Sequence, residues 1–514
     1  MGRDVAGPLD PLATEANANP PTLSPDGTVR LHESYLQLAR RGYESGLVRL
    51  AYRGDPPLPR VATFALGYLF SQAEQGFYCP VCLTDGTARL VQRFAPEDAR
   101  PALMDGLLAA SFDRQREGAM WMTERSGGSD VSGFETRAEA APAGRVRLQG
   151  EKFFCSNANA HVAAVLARAP DGGAGSAGLG LYLAETREGA GPEAPRAPGL
   201  TVVRLKDKLG TRSMATGEVR LEGAEALELG GAGEGLRRMV EMLTLSRLYN
   251  AVASVGVMRR ALFEAVSFAR TRHTFGRRLL DHPLQRAMLL ENCLEWEGAL
   301  ALVLECAALL DKSDAGRASA SERLQLRMLV PVAKLSLAGR AVATVSDCVE
   351  GLGGIGYTHD TVLPRLLADA QVLPIWEGTT HVLALDVVRA ATREQAHRAL
   401  FPSLAPRLQE ASRADPELAR HLSMALSWLS EDYVDTLDAE PEIQQLRALD
   451  LAERTARGVE AVLLLEHAHA TQEERDLLSA RAYAEAFVLG TRELREDLTL
   501  NRFGSYLDAV LPGA

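Results

Sequence analysis

Several absences narrow this chain before any motif is read. No apolar stretch is long enough to cross a bilayer, and 46% hydrophobic with 24% charged residues predicts a well-packed soluble protein with no membrane role. Cysteine is sparse: the six thiols, at positions 79, 82, 155, 293, 306 and 348, form no disulfide framework. Cys79-Pro-Val-Cys82 is the only close pair and lacks a second pair or nearby histidines for zinc, while His467 and His469, two apart on a helix, face different sides. No metal is predicted. Lysine is missing from Phe401 onward, where 21 Asp and Glu stand against 11 Arg, so this segment lacks the phosphate-neutralising charge on which DNA affinity depends. Residues 1–21 carry one Arg, three acids and no hydrophobic segment, which excludes a secretory signal and predicts a cytoplasmic protein.

The 514 residues leave room for three or four domains, and no internal repeat links them. Residues 1–30, rich in Pro and Asn, read as a loosely attached lead-in. From 31 to 115 apolar residues recur at helical spacing. Between 116 and 230 short apolar or alternating runs, such as Val162 to Arg168, Leu179 to Leu183 and Val202 to Leu205, are separated by Gly/Pro-rich turns, which predicts antiparallel strands. Ala/Leu/Glu/Arg-rich segments then give a helical bundle over 231–395 and a helical extension over 396–514. The predicted class is α+β, mostly α: an N-terminal helical domain, a middle antiparallel β domain, and a C-terminal helical bundle with an extension.

Four motifs carry chemistry. Met120-Trp-Met-Thr-Glu-Arg-Ser-Gly-Gly-Ser129 brings a hydroxyl, small residues and backbone N–H groups together, which suits a flat anionic cofactor and also an ordinary polar turn. Gly150-Glu-Lys-Phe-Phe-Cys-Ser156 closes an alternating strand in which Phe154 and Ser156 project from one side, one able to cover a planar ring and the other to bond its edge. Arg272-His-Thr-Phe-Gly276 ends a long helical run; its Arg and Phe suit a pyrophosphate and an adenine, and equally a capped helix C-terminus. Ile375-Trp-Glu-Gly-Thr-Thr-His381 holds one carboxylate, Glu377, just before a helix start. A further run, Gly351-Leu-Gly-Gly-Ile-Gly356, matches a dinucleotide fingerprint letter for letter, but that fingerprint must leave a strand. Here an Ala-rich helix precedes it, so the glycines are read as ending a helix.

In this order and at these separations the motifs resemble the acyl-CoA dehydrogenase family, from about Leu31 to Ala391. Met122 to Ser129, Leu205-Lys-Asp-Lys-Leu-Gly-Thr-Arg-Ser213, His282-Pro-Leu-Gln-Arg286, Ile375 to Gly378, Leu385-Asp-Val-Val-Arg389 and the extension are similar to its AidB branch, the alkylation-response flavoproteins. The resemblance implies an FAD-dependent oxidoreductase that dehydrogenates the α,β bond of an acyl-CoA thioester, with a carboxylate base and hydride transfer to flavin N5. It implies Glu377 as that base, because the other position used in the family matches Ser246, which is no base at neutral pH. It puts Thr123 at the flavin edge, Ser129 near the pyrophosphate, Phe154 on the ring face and Ser156 at N5. Arg272 and Phe275 fall on the adenosine half of a neighbouring subunit's FAD with Gly354 close by, and Thr379 and His381 contact the cofactor after the base. Met122, Gly128, Cys155 and Trp376 complete the cofactor set. A homo-oligomer, a tetramer, and an electron-transfer protein or other acceptor are implied as partners. The chain departs from the fatty-acid enzymes at Phe154, where they carry Trp, at Pro283 and Glu350, where they carry Gln, and at Ala368, where they carry Arg. Pro283 is shared with the AidB branch.

Two other readings stay open. An AidB-like stress-response flavoprotein would have low dehydrogenase activity and possible DNA association, yet the segment is acidic overall, and a local Arg patch such as Arg481, Arg492, Arg495 and Arg502 reads as solvated helix faces. A nitroalkane or acyl-CoA oxidase would use the same scaffold, but those nitroalkane enzymes resemble the family with Asp as the base, against Glu377. Trp376 beside the base predicts short or branched acyl groups.

Overall fold

The computed structural model describes residues 7–231, 233–491 and 493–512, and the chain divides into two compact units, Met1–Tyr249 and Asn250–Ala514.

The first unit opens on α1 (Gly7–Ala18). Pro8 sits in its first turn, where a missing N–H forfeits no intrahelical bond. Leu9, Ala13, Ala16 and Asn17 are buried, Asn17 Nδ2 donates to Glu74 at 2.9 Å and Ser34 Oγ to Glu15 at 2.6 Å. Within the lead-in predicted to be loosely attached, whose residues 1–6 lie outside the described residues, Gly7–Ala18 is instead an integral helix: the Pro/Asn composition suggested a loop, but the apolar residues share one helical face. A small hairpin of β1 (Thr22–Leu23) and β2 (Val29–Arg30) leads to α2 (Glu33–Glu44), α3 (Arg60–Ser71), α4 (Gln75–Phe94) and α5 (Arg100–Leu107). The buried Asp85 of α4 accepts from Arg60 at 2.8 Å, Tyr52 at 2.6 Å and Tyr249 at 2.7 Å, which pays the desolvation cost of a carboxylate in the core and ties three segments to one point.

The sheet that follows contains β3 (Gly118–Trp121), β4 (Arg137–Ala140), β5 (Arg145–Ser156), β6 (Val162–Arg168), β7 (Leu179–Glu185), β8 (Leu200–Leu205) and β9 (Thr216–Glu228). Its order is β3-β6-β4-β5-β9-β7 with β8 on β9, and a β6–β7 pairing closes the path into a ring around Trp121, Leu148, Val165, Tyr182 and Val219. Most pairs are antiparallel as predicted. β3 differs, pairing parallel with β6, because the β4–β5 hairpin intervenes between them in the chain. An irregularity between Lys152 and Cys155 breaks the alternation of β5 and leaves the consecutive Phe153 and Phe154 both off the core face.

The long helix α6 (Gly235–Thr271) runs on into a second hairpin, β10 (His273–Thr274) and β11 (Arg277–Arg278). The second unit continues with α7 (Pro283–Asp314), α8 (Ala320–Leu352), α9 (Leu363–Ala370) and α10 (Thr380–Glu394), then the extension α11 (His397–Ala411), α12 (Pro416–Leu437), α13 (Pro441–Thr471), α14 (Glu474–Ala484), α15 (Glu493–Asp497) and α16 (Phe503–Val510). A capping box between Ser319 and Glu322 starts α8. Contrary to the sequence reading, α8 with the 3₁₀ turn after it is long and apolar enough to cross a membrane; most of that apolar window is buried inside the protein, as in the core helix of a bundle. The run Gly351 to Gly356 does end this helix, with Gly353 at φ +71° as its cap.

Candidate active site

In the first unit the loop after β3 is built on one buried ion pair. Lys152 Nζ donates to Met122 O at 3.1 Å, to Leu166 O at 2.8 Å and to Glu124 Oε1 at 2.7 Å, so all three of its donors are used. Glu124 also accepts from the Glu135 N–H at 2.6 Å and the Thr136 N–H at 3.2 Å. Burial pushes the Glu124 carboxyl up, and Lys152 with these N–H groups outweighs it, leaving the group below the ordinary range. Both ends of the loop 122–136 are thereby pinned. Reciprocal bonds between Glu124 and Gly127 turn the backbone tightly and leave Ser126, Gly128, Ser129 and Asp130 exposed. A Cβ on Gly128 would lie 2.9 Å from Thr123 Oγ1, so only glycine lets that hydroxyl stand where it does. Neither Glu124 nor Lys152 was given a role from sequence. A signal was present: Lys152 falls in the period-two register of Val146 and Leu148 on the buried face of β5, where an ammonium must find a partner.

Beyond Lys152, Phe154 is 53% exposed and meets Phe153 edge-on. Lys206 Nζ lies 3.4 Å from the Phe153 ring centre and 2.6 Å from Glu218, whose carboxyl is held at about 2 chiefly by Arg204, with Lys206 adding to it. Trp121 Nε1 donates to Ser156 O at 3.2 Å and fixes the end of the strand. The side chain of Cys155, included in the cofactor set, is buried in the sheet core between two outward neighbours, which leaves only its backbone to meet a cofactor.

In the second unit Glu377 lies in the turn between α9 and α10. The Ile375 and Trp376 N–H groups both donate to Val372 O at 2.9 Å, and Asn250 Nδ2 donates to Leu373 O at 3.2 Å. Glu377 has φ +59° and Gly378 φ +105°. A glutamate in the left-handed region is uncommon and persists only where its surroundings impose it. Trp376 and Glu377 are half-buried, Thr379 is the N-cap residue of α10, and Thr379 and His381 are exposed.

The Arg272 motif does not form the helix cap that was the alternative reading. Phe275 at φ +48° and Gly276 at φ +80° are the two central residues of the β10–β11 turn, both left-handed as a tight hairpin requires. Phe275 is thereby held 98% exposed, and Arg272 and Gly354 are exposed as well. In the extension Arg481 lies 2.5 Å from Asp415, Arg495 3.3 Å from Glu291 and Arg502 3.3 Å from Glu474, while Arg492 falls outside the described residues.

Three family models match consecutive parts of the chain: the N-terminal domain of the adaptive response protein AidB over residues 5–114, the acyl-CoA dehydrogenase middle domain over 119–224 and its C-terminal domain over 233–392. The chain is 35% identical to acyl-CoA dehydrogenase family member 11 of Caenorhabditis elegans across 83% of its own length and 71% of that protein's. The chain belongs to the acyl-CoA dehydrogenase family. Within that family its first domain is of the AidB type, and it is 34% identical to AidB of Escherichia coli (strain K12) across 74% of this chain and 71% of that one. The crystal structure of Caenorhabditis elegans ACDH-11 in complex with C11-CoA superposes with a TM-score of 0.88 at 31% identity, covering 99% of this chain and 89% of that one. The α1 helix falls within the AidB-type domain, in accord with its packing. As an acyl-CoA dehydrogenase family enzyme the protein is an oxidoreductase.

Proposed function

We propose that this protein is an FAD-dependent acyl-CoA dehydrogenase in which Glu377 removes the α-proton of an acyl-CoA thioester. The observation that carries the reading is the presentation of Glu377 at positive φ directly before the start of α10. Members of the family bind FAD, and the residues present fit it: the Gly128 cradle leaves the Thr123 hydroxyl open, and the bulge in β5 turns the Phe154 ring outward. Thr123, Ser129, Phe154 and Ser156 would hold the flavin half, with Trp376, Thr379 and His381 beside the base. Bound there, FAD supplies the hydride acceptor. The protein supplies the base, since the buried Ser246 cannot serve, and the Glu377 carboxylate takes the proton from the carbon next to the thioester. Arg272, Phe275 and Gly354 would meet the adenosine half of a neighbouring subunit's cofactor; the exposed Phe275, Tyr357 and Leu284 are the kind of apolar surface that a second copy covers.

The test is anaerobic titration of the FAD-loaded protein with butyryl-, isovaleryl- and undecanoyl-CoA, following the flavin band. The C11-CoA of the worm relative supports an undecanoyl thioester, against the short or branched group suggested by Trp376. Glu377→Gln is expected to keep FAD and lose all bleaching; unchanged bleaching would exclude Glu377. The AidB-type first domain favours a second reading, a stress-response flavoprotein with little turnover, which a fully loaded parent protein unbleached by every thioester would support. DNA has a weak place in that reading, because Arg481, Arg495 and Arg502 are each matched by a carboxylate.

A further inference from the structure

A buried lysine reaches the loop that carries Glu377. The chain has only five lysines, and Lys334, on α8, is 0% exposed. Its Nζ donates to the Gly378 carbonyl at 2.6 Å, one residue after Glu377. Seven residues earlier, two turns along the same helix face, Arg327 binds Asp386 at 2.8 Å and Glu394 at 2.9 Å on α10. One face of α8 therefore grips both the turn that presents the carboxylate and the helix that starts after it. An ammonium is costly to bury, and here it is spent on a carbonyl beside two successive residues in the left-handed region, Glu377 and Gly378.

We propose that Lys334 is a positioning residue for the Glu377 base: by holding the Gly378 carbonyl it fixes the turn and aims the carboxylate at the α-carbon of the thioester. This rests on the reading of Glu377 as the base. The geometry of a reacting group matters steeply, a misplacement of about 1 Å being worth about 100-fold in rate. Loss of Lys334 therefore acts on proton removal and leaves thioester affinity in place.

The experiment isolates that step. An acyl-CoA whose β-carbon is replaced by sulfur can lose an α-proton to Glu377 and regain a deuteron from solvent, but has no β-hydride to give. Its exchange in D2O, read by mass spectrometry on the FAD-loaded protein, reports the base alone. For Lys334→Met, FAD content and the analogue's Kd are expected to stay within about threefold of the parent while exchange falls about 10- to 100-fold. Lys334→Arg, which keeps a cationic donor, is expected to recover part of the loss. Exchange at the parent rate with binding intact would overturn the proposal, as would loss of binding and exchange in equal measure. Should Lys334→Met fail to retain FAD, Lys334→Gln, whose shorter amide falls short of the carbonyl, replaces it under the same two criteria. Glu377→Gln separates the two ideas: exchange at the parent rate in that variant defeats the base assignment itself, whereas its abolition beside unchanged exchange in Lys334→Met defeats only the positioning role.

Discussion

The Glu117 backbone N–H donates to His161 Nδ1 at 2.9 Å, and His161 Nε2 lies 2.9 Å from Gly191 O, so the imidazole has no acceptor site left for a second proton. Burial accordingly pulls His161 down to about 3, with Arg187 and Arg116 adding to the effect against the pull of Gly191 O. The side chain of Glu117 is itself buried, and burial pushes its carboxyl up to about 7 against the pull of Arg187 and Tyr43.

These two groups give opposite pH slopes. His161 stays neutral in the fold, so its contribution to stability is present above 6.5 and lost as pH falls toward 3. Glu117 has a raised folded value, so its contribution is full below 4.5 and lost as pH rises through about 7. Between 4.5 and 6.5 the slopes of the pair oppose each other. Glu117→Gln removes the falling one, and urea unfolding is expected to show stability rising by about 2–3 kcal/mol across that window. A variant whose profile there matches the parent's would show that Glu117 is ionised in the fold throughout.

The Lys152–Glu124 pair yields a sharper test because loss of the lysine alone and loss of both charges differ in kind. Lys152→Met leaves Glu124 buried with no cation, which costs about 3–5 kcal/mol. Glu124→Gln on top of Lys152→Met removes the stranded charge while an amide oxygen still accepts from the Thr136 N–H. The double variant is therefore expected to be more stable than Lys152→Met alone in chemical denaturation; equal stabilities would mean that the pair's charge contributes nothing.

Much of this architecture is legible in the sequence because it depends on local pattern. The apolar run Val162–Arg168 becomes β6, flanked by strands on both sides, and the Ala-rich segment before Gly351 becomes the end of α8. What is not legible depends on partners distant in the chain. Lys152 meets Glu124 across 28 positions, Lys334 meets Gly378 across 44 and Arg340 meets Glu460 across 120. Strand register hints that Lys152 is buried, but its partner, and the burial of Lys334 and Arg340 on a helix, emerge only from the tertiary fold. The α1 helix was hidden for a different reason: the Pro/Asn composition of residues 1–30 reads as loop, yet Pro8 lies in the first turn, where the cost is low, and the helix keeps Pro11 inside it. Cys155 shows the limit of motif transfer: period two from Val146 and Leu148 turns it outward, and only the irregularity between Lys152 and Cys155 brings it into the core.

The flavin loop can be tested without touching a charge. Gly128→Ala puts a Cβ 2.9 Å from Thr123 Oγ1, so the hydroxyl has to shift, while the loop itself is exposed. Folding stability is expected to change by less than about 1 kcal/mol, as for other surface sites, and the Kd for FAD to rise about tenfold or more. Fluorescence titration of the apoprotein reads the Kd directly. An unaltered Kd with an unaltered melting temperature would remove Thr123 and Gly128 from the cofactor site.

The extension is held to the bundle by a buried charge cluster, and that cluster predicts how it comes off. Arg340 of α8 binds Glu460 of α13 at 2.7 Å and Glu295 of α7 at 2.5 Å, Arg457 returns from α13 to Glu295 at 2.6 Å, and the Tyr483 hydroxyl donates to Glu460. Glu295 stays ionised because Arg340 and Arg457 outweigh the burial that would push its carboxyl up. Arg340→Met strands Glu460, which is fully buried, and weakens the hold on Glu295; the loss is about 3–5 kcal/mol and falls on the contact of α13 with α7 and α8. Limited proteolysis of Arg340→Met is expected to cut first between residues 396 and 514 and to leave a fragment ending near 395. Cleavage spread evenly through both units, or a pattern identical to the parent's, would mean that apolar packing alone holds α13 in place.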